Sequence, residues 1–184
     1  LCKQYINGST MTIRPLVIAP DPRLLIPSAK VEVVDDAVRA LLNDMLETMY
    51  ANDGIGLAAV QIGVHKRCIV VDVAQRDGEK HPMKLVNAEI ISNSENESVF
   101  NEGCLSFPDQ YSEVVRPETV TIRYLDENGV QKTIAADGIL ATCIQHEIDH
   151  TNGIVFVDHI SKMKRDIILR KLNKAKRLGL IAEL

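Results

Sequence analysis

Two histidines and a glutamate near the C-terminal end of the chain have the spacing of a metal-dependent hydrolase. They lie in the sequence QHEIDH at residues 145–150. Residues four apart on a helix project from the same face, so His146 and His150 can bind one metal ion. Glu147 lies beside that face and can take a proton from a water molecule bound there. The grouping indicates metal-assisted hydrolysis of an amide or an ester.

A third protein ligand is needed, because a catalytic metal site commonly takes three and leaves one position for water. Cys104, upstream, lies in a short glycine-containing segment after a strand-like stretch. A thiolate beside two imidazoles suits a borderline-soft divalent metal. The downstream residues that could serve instead are Asp158, His159, Asp166 and Glu183, although the metzincin spacing is absent. The residues alone leave both positions open.

Length and composition favour one globular domain. The 184 residues are 46% hydrophobic and 25% charged, which is ordinary for such a domain. A net charge of −4 argues against nucleic-acid binding as the main task. There is no run of 18 apolar residues, so no membrane-spanning helix is expected.

The first ten residues are expected to be a leader foreign to the fold. They precede Met11 and lack both the apolar core of a signal peptide and the arginines of a transit peptide. Residues 11–184 are predicted to form the single catalytic domain. Three cysteines outside the leader, at irregular spacing, suit a reducing cytosol better than a disulfide framework. Cys68 lies in a β-branched run and is predicted to pack in the core.

Hydrophobic periodicity predicts the elements that position these residues. An amphipathic helix begins at Asp35 or Asp36 and ends before Gly54, and a second runs from about Asp137 to Asn152. A last helix begins near Ser161. Strands are predicted at 67–73, 83–91, 112–116, 118–125 and 130–135, the last three as a β-meander with a turn at Asn128-Gly129, and 92–98 as a loop. This order indicates an α+β domain with antiparallel or mixed sheets.

Three segments of the chain together resemble the motifs of the peptide deformylase family. They are GIGLAAVQ at 54–61, EGCLS at 102–106 and QHEIDH at 145–150, and they occur in the family's order. The resemblance extends from Met11 to about Leu178. It implies an α+β fold in which sheets pack around a central metal-binding helix that carries the His-Glu-x-x-His motif.

The resemblance also implies a reaction. The substrate would be the N-formyl group on the initiator methionine of nascent polypeptides, which is released as formate. Cys104, His146 and His150 would hold one divalent metal ion per chain, typically Fe²⁺, with Zn²⁺, Ni²⁺ or Co²⁺ also accepted. Metal-bound hydroxide would attack the formyl carbon. Glu147 would take the proton of the water and later give it to the departing amine.

Other family positions concern the substrate. By resemblance, the side-chain amide of Gln61 and the backbone N–H of Leu105 stabilise the oxyanion together with the metal. The peptide is expected to add as an extra strand along residues 54–56. Tyr111 falls where many relatives carry an arginine near the peptide entrance. The predicted substrate-binding residues are Gly54, Ile55, Gly56, Phe100, Ile139 and Cys143, with Thr142 beside them.

The last predicted helix is strongly basic. A solvated helix with one packed face, formed by Met163, Ile167, Ile168 and Leu172, is the simpler interpretation. Because formyl-methionine is removed from nascent chains, the functional hypothesis is that this helix contacts the ribosome, an anionic surface. We predict a bacterial cytoplasmic enzyme with no membrane partner.

Two other function classes are compatible with parts of the pattern. A zincin-like endoprotease shares His-Glu-x-x-His, but Cys104 and the Gln61 segment argue against it. A metal-stabilised binding module needs a fourth protein ligand and has little use for Glu147. Asp149 is expected to be structural. The remaining histidines are expected to be ordinary surface or loop residues: His65, His81 and His159.

Overall fold

The computed structural model describes Tyr5–Ile6, Ser9–Thr10 and residues 12–74 and 78–181. These contain helices α1 (Asp36–Ala51), α2 (Gly138–Thr151) and α3 (Lys162–Arg177). The strands are β1 (Tyr5–Ile6), β2 (Ser9–Thr10), β3 (Gly56–Ala58), β4 (Cys68–Val71), β5 (Met83–Asn93), β6 (Glu97–Cys104), β7 (Phe107–Pro117), β8 (Thr119–Leu125) and β9 (Gln131–Asp137). The predicted α+β class is confirmed. None of the described helices combines the length and apolar character needed to cross a membrane.

The predicted leader lies outside the described residues, apart from two short strands. β1 and β2 pair with each other as an antiparallel two-stranded sheet. Cys2 also lies outside the described residues.

The main sheet has five antiparallel strands in the order β3-β4-β5-β8-β9, and β6 and β7 form a separate two-stranded ribbon. The predicted three-stranded meander is therefore wrong in its first strand, since β7 pairs with β6 and not with β8. Only Leu105 and Ser106 separate the pair Cys104–Phe107, so a tight turn gives β7 a partner that is adjacent in sequence.

The predicted loop at 92–98 is confirmed only for residues 94–96, and its two ends are wrong. β5 continues to Asn93 and β6 begins at Glu97. The polar residues of this stretch were taken as a loop signal, but a two-stranded ribbon exposes much of both faces and accepts polar side chains. The hairpin between β8 and β9 is confirmed. Asp126 Oδ1 accepts hydrogen bonds from the backbone N–H groups of Asn128 and Val130, and Gly129 has φ +76°.

Helix α1 begins with an aspartate cap. Asp35 Oδ1 accepts a hydrogen bond from Val38 N at 2.9 Å. The apolar stripe of α1 is buried against β3 and β4. Cys68 on β4 is fully buried, as predicted, and burial raises the pKa of its thiol to about 11.

Helix α2 ends in a glycine-dependent cap. Gly153 has φ +75°, its N–H donates to His150 O, and Ile154 N donates to Asp149 O at 3.0 Å. This pair of bonds is a Schellman motif, and it satisfies two carbonyls at the end of the helix. A Cβ at Gly153 would lie 2.5 Å from Leu25 O. The cap therefore excludes a side chain both by its backbone angle and by its neighbour.

We expect Gly153→Ala to destabilise the protein by about 1–3 kcal/mol from the left-handed backbone alone, and by more because Leu25 O must move. Urea unfolding monitored by circular dichroism measures this change. Gly129→Ala is the matched control, because Gly129 also has a positive φ but a Cβ there would meet only Val34 at 3.7 Å. Equal losses of unfolding free energy in the two variants would contradict a contribution from the contact with Leu25 O.

Helix α3 has a narrower packed face than predicted. Ile168 and Leu172 are buried in the cluster around Phe156, whereas Met163 is 70% exposed and Ile167 is 40% exposed. Among the described elements α3 packs mainly against the short 3-10 turn Phe156–His159. The buried face of α3 is therefore limited to Ile168 and Leu172, and the two outer apolar residues remain at the surface.

Candidate functional site

Three side chains of the right types for a metal site come together between α2 and the β6–β7 ribbon. One ligand atom from each of Cys104, His146 and His150 lies within 4.8 Å of the other two. Cys104 Sγ is 3.2 Å from His150 Nε2. Cys104 is the last residue of β6, where the pairing with β7 shifts register before the tight turn. This irregularity turns the thiol toward the helix.

The structure thus selects between the two positions that the sequence left open for a third ligand. Within residues 12–74 and 78–181, the only group of three or more candidate ligands is the one with Cys104. Asp158, His159 and Asp166 do not belong to it, and Glu183 lies outside the described residues. The donor set fits a borderline-soft divalent metal. Glu147 Oε2, next to this group, is buried without a hydrogen-bond partner.

A buried ion pair, missed in the sequence, supports His146. Glu102 Oε2 lies 2.8 Å from His146 Nδ1, which leaves Nε2 as the nitrogen available to a metal. Arg116 donates to both oxygens of Glu102, from Nε at 2.5 Å and from Nη2 at 3.1 Å. Burial alone would raise the pKa of Glu102, but the hydrogen bonds from His146 and Arg116 hold it below its usual range. Glu102 begins the EGCLS segment and could have been suspected, whereas nothing local marks Arg116.

The ion pair continues to Asp149 and His159. Arg116 Nη1 donates to Asp149 Oδ2 at 2.8 Å, and His159 Nε2 lies 2.7 Å from the same oxygen. Burial would raise the pKa of Asp149, but the hydrogen bonds from His159 and Arg116 keep it low. Asp149 therefore has the structural environment that was expected. His159 is an exposed residue in the 3-10 turn, as expected, but its contact with Asp149 on α2 was not predicted.

Glu147 is enclosed on α2 and packs against a glycine. Burial raises the pKa of its carboxyl group to about 7. A Cβ at Gly56 would lie 2.4 Å from Glu147 Oε1 and 2.7 Å from Cys143 Sγ. A Cβ at Gly54 would lie 2.7 Å from Leu105 Cδ1. A side chain at either position would therefore displace Leu105 or Glu147 from its place in the site.

Gln61 is buried, and contacts at both the oxygen and the nitrogen of its side-chain amide fix its orientation. Its Oε1 accepts a hydrogen bond from Ala58 N at 2.8 Å, and its Nε2 is 3.2 Å from Ser106 Oγ and 3.4 Å from Cys104 Sγ. The short 3-10 turn Ala59–Ile62 carries it after β3. Fixing the carbonyl end on the backbone leaves the NH₂ group beside the candidate metal ligands.

A cavity of about 470 Å³ opens onto this group. All the predicted pocket residues line it, as do Gln61, Leu105 and Glu147. His150 is fully buried and is not part of the lining. Thr142 Oγ1 donates to Gly138 O at 3.2 Å, so its hydroxyl is satisfied by the helix. Tyr111 is 65% exposed at the rim and packs over Gly103. The predicted pocket residues are Gly54, Ile55, Gly56, Phe100, Ile139, Thr142 and Cys143.

Comparisons with known proteins show a family relationship over most of the chain. The sequence model of the family described as "Polypeptide deformylase" matches residues 13–166. The chain is 53% identical over 165 residues to a peptide deformylase of Rhizobium meliloti (90% of this chain, 95% of the relative). It is 54% identical over 167 residues to one of Agrobacterium fabrum (91% and 98%).

Solved structures give the same result. The Ehrlichia chaffeensis peptide deformylase in complex with actinonin superposes with a TM-score of 0.87 at 44% identity, covering 91% of this chain and 99% of that one. The Legionella pneumophila peptide deformylase gives 0.85 at 45% identity, covering 94% and 100%.

Proposed function

Because the chain belongs to the polypeptide deformylase family, we propose that it removes the formyl group from the initiator methionine of nascent polypeptides and releases formate. The observation that carries the proposal is the meeting of Cys104, His146 and His150 beside a buried glutamate at a cavity with both polar and apolar lining. The Ehrlichia chaffeensis relative was crystallised with actinonin.

Cys104, His146 and His150 would hold one divalent metal ion, with Fe²⁺ as the proposed native metal and Zn²⁺, Ni²⁺ or Co²⁺ as replacements. α2 would then be the central metal-binding helix, since it packs against β3, β4 and β9 as well as β6. When bound, the metal would supply a water molecule whose pKa is lowered to about 7, and thus a nucleophile at neutral pH.

Glu147 would move the proton. Its Oε2 is buried and has no hydrogen-bond partner, while its Oε1 lies against Gly56. In this position it would accept the proton of the attacking water and deliver it to the departing amine nitrogen, acting first as base and then as acid. Two other groups would stabilise the charge on the formyl oxygen: the Gln61 NH₂ group, held beside Cys104, and the Leu105 backbone N–H, in the turn that follows.

The peptide would bind along the edge of the main sheet. β3 is an edge strand of that sheet, with β4 as its one neighbour, and residues 54–56 line the cavity. An extended peptide can therefore add as a further strand, read through its backbone. The methionine side chain would occupy the part of the cavity between Ile55, Phe100 and Ile139.

Formate release from formyl-Met-Ala-Ser by protein loaded anaerobically with Fe²⁺ tests the proposal. The unformylated peptide, run in parallel, tests the zincin-like alternative, because an endoprotease would cleave it internally. One metal bound per chain without turnover of either peptide would favour a metal-stabilised binding module and overturn the proposal.

Helix α3 is proposed to contact the ribosome. The helix carries eight lysine and arginine residues and one aspartate, and Met163 and Ile167 on it are exposed, so it combines positive charge with a small apolar surface. The proposal of a bacterial cytoplasmic enzyme accords with the curated relatives named above, which come from bacteria.

Charge reversal at Lys171, Lys174 and Arg177 is expected to weaken ribosome binding at least about tenfold at about 0.1 M salt, because surface steering depends on net charge and is screened by ions. Co-sedimentation with purified ribosomes measures the change in binding affinity. Charge reversal at exposed residues elsewhere, Lys30, Lys66 and Lys132, is the control for net charge. If both triple variants bind like the parent protein, or lose binding equally, α3 is not a specific contact.

A further inference from the structure

A chain of charged side chains runs from His146 to the protein surface. Its members, in order, are Glu102, Arg116, Asp149 and His159. Exposure increases outward: the side chains of Glu102 and Arg116 are each 5% exposed, that of Asp149 is 18% and that of His159 is 32%. His159 is therefore the solvent end of a network whose inner end touches a candidate metal ligand.

The inner links are geometrically constrained. Arg116 donates a hydrogen bond to each oxygen of Glu102, and such bidentate pairs fix the orientation of the two groups as well as their distance. The outer link is weaker, because Asp149 Oδ2 alone receives both Arg116 Nη1 and His159 Nε2. The His159 ring nitrogen is thus the second partner of an Asp149 oxygen that Arg116 contacts through one nitrogen only. A buried network that loses one donor also loses rigidity.

We infer that His159 is a positioning residue for the metal centre, which holds Asp149 and thereby, through Arg116 and Glu102, fixes the orientation of the His146 ring. The four members come from β6, β7, α2 and the 3-10 turn, so the chain ties the ribbon to the helix across the site. The inference rests on the proposed role of His146 as a metal ligand.

A purely structural role for His159 can be separated from this one. Asp158, the neighbour of His159, supports the turn Phe156–His159: its Oδ2 accepts from Val155 N at 3.0 Å and its Oδ1 pairs with Arg165. Asp158→Ala therefore weakens the turn without removing the donor to Asp149. His159→Leu removes the donor, and His159→Gln keeps an N–H at a similar reach.

The test uses Co²⁺, with affinity measured by chelator competition and the visible absorption spectrum recorded. We expect His159→Leu to weaken Co²⁺ binding by about threefold to tenfold, less than the about 10–100-fold typical of a direct partner of a ligand. The Co²⁺ spectrum should shift, because it reports the ligand geometry. His159→Gln should restore both readouts, and Asp158→Ala should match the parent protein in both.

Coupling through Asp149 gives a second check. In an Asp149→Asn background, adding His159→Leu should cost little further affinity, since the two changes remove the same link. Fully additive losses, an unchanged His159→Leu protein, or equal losses in Asp158→Ala would each overturn the inference. If the parent protein bound no Co²⁺, or if Cys104→Ala still bound one per chain, the proposed ligand set itself would fail, and the inference with it.

Discussion

Glu147→Gln should lower deformylation of formyl-Met-Ala-Ser by about 10²–10⁴-fold, the usual contribution of a positioned acid–base group. The substitution keeps the size of the side chain, so the close contact with Gly56 and the packing on α2 are preserved. It removes the carboxylate that accepts a proton. The loss should fall on kcat more than on KM, because the cavity that holds the peptide is unchanged.

Metal content and thermal stability, measured on the same samples, distinguish a loss of proton transfer in Glu147→Gln from a loss of metal or of folding. Glu113→Gln, the same substitution at an exposed position on β7, is the matched control and should retain full turnover. Turnover in Glu147→Gln within about threefold of the parent enzyme would remove Glu147 from the proposed proton transfer.

Cys104→Ala is expected to abolish stoichiometric metal binding and to reduce formate release to background. The substitution removes one of three protein ligands, and two histidines on one helix remain. Metal analysis after gel filtration and the formate assay measure the two effects. Cys68→Ala is the control: Cys68 is buried in the core on β4, away from the candidate ligands, so its loss should affect stability and leave metal content intact.

Chelation gives an independent readout of the same site. A metal that binds only the folded state stabilises it by about 2.7 kcal/mol at 100 times its dissociation constant. Adding a chelator should therefore lower the Tm of the parent protein and leave that of Cys104→Ala unchanged. A full complement of metal in Cys104→Ala, with a chelator-sensitive Tm, would mean that the metal is held elsewhere.

Much of the candidate site could be predicted because its signals are local. The i, i+4 spacing places His146 and His150 on one face of any helix, and α2 spans both residues as predicted. The Asn128-Gly129 turn and the Asp35 cap likewise depend on residues within a few positions of one another. The three segments in family order extended the prediction to Cys104, Gln61 and the cavity.

The predictions failed where the structure or burial of a segment depends on contacts with residues distant in the sequence. The two ends of the polar stretch 92–98 become strand because residues 92–93 pair with β8 and residues 97–98 pair with β7. Met163 and Ile167 are exposed because the buried face of α3 is limited to Ile168 and Leu172. The close approach of Leu105 to Gly54 and of Glu147 to Gly56 was likewise not foreseen, because these side chains come from distant segments.

The sequence by itself determined the chemistry available to this protein: two imidazoles and a carboxylate on one helix, with several candidates for a third ligand. The tertiary structure selected Cys104, 46 residues from His150, and assembled Glu102 and Arg116 behind His146. Helical spacing is fixed by backbone geometry within one or two turns. Contacts between residues so far apart depend on how the ribbon packs on the helix, and no local pattern of residues encodes that packing.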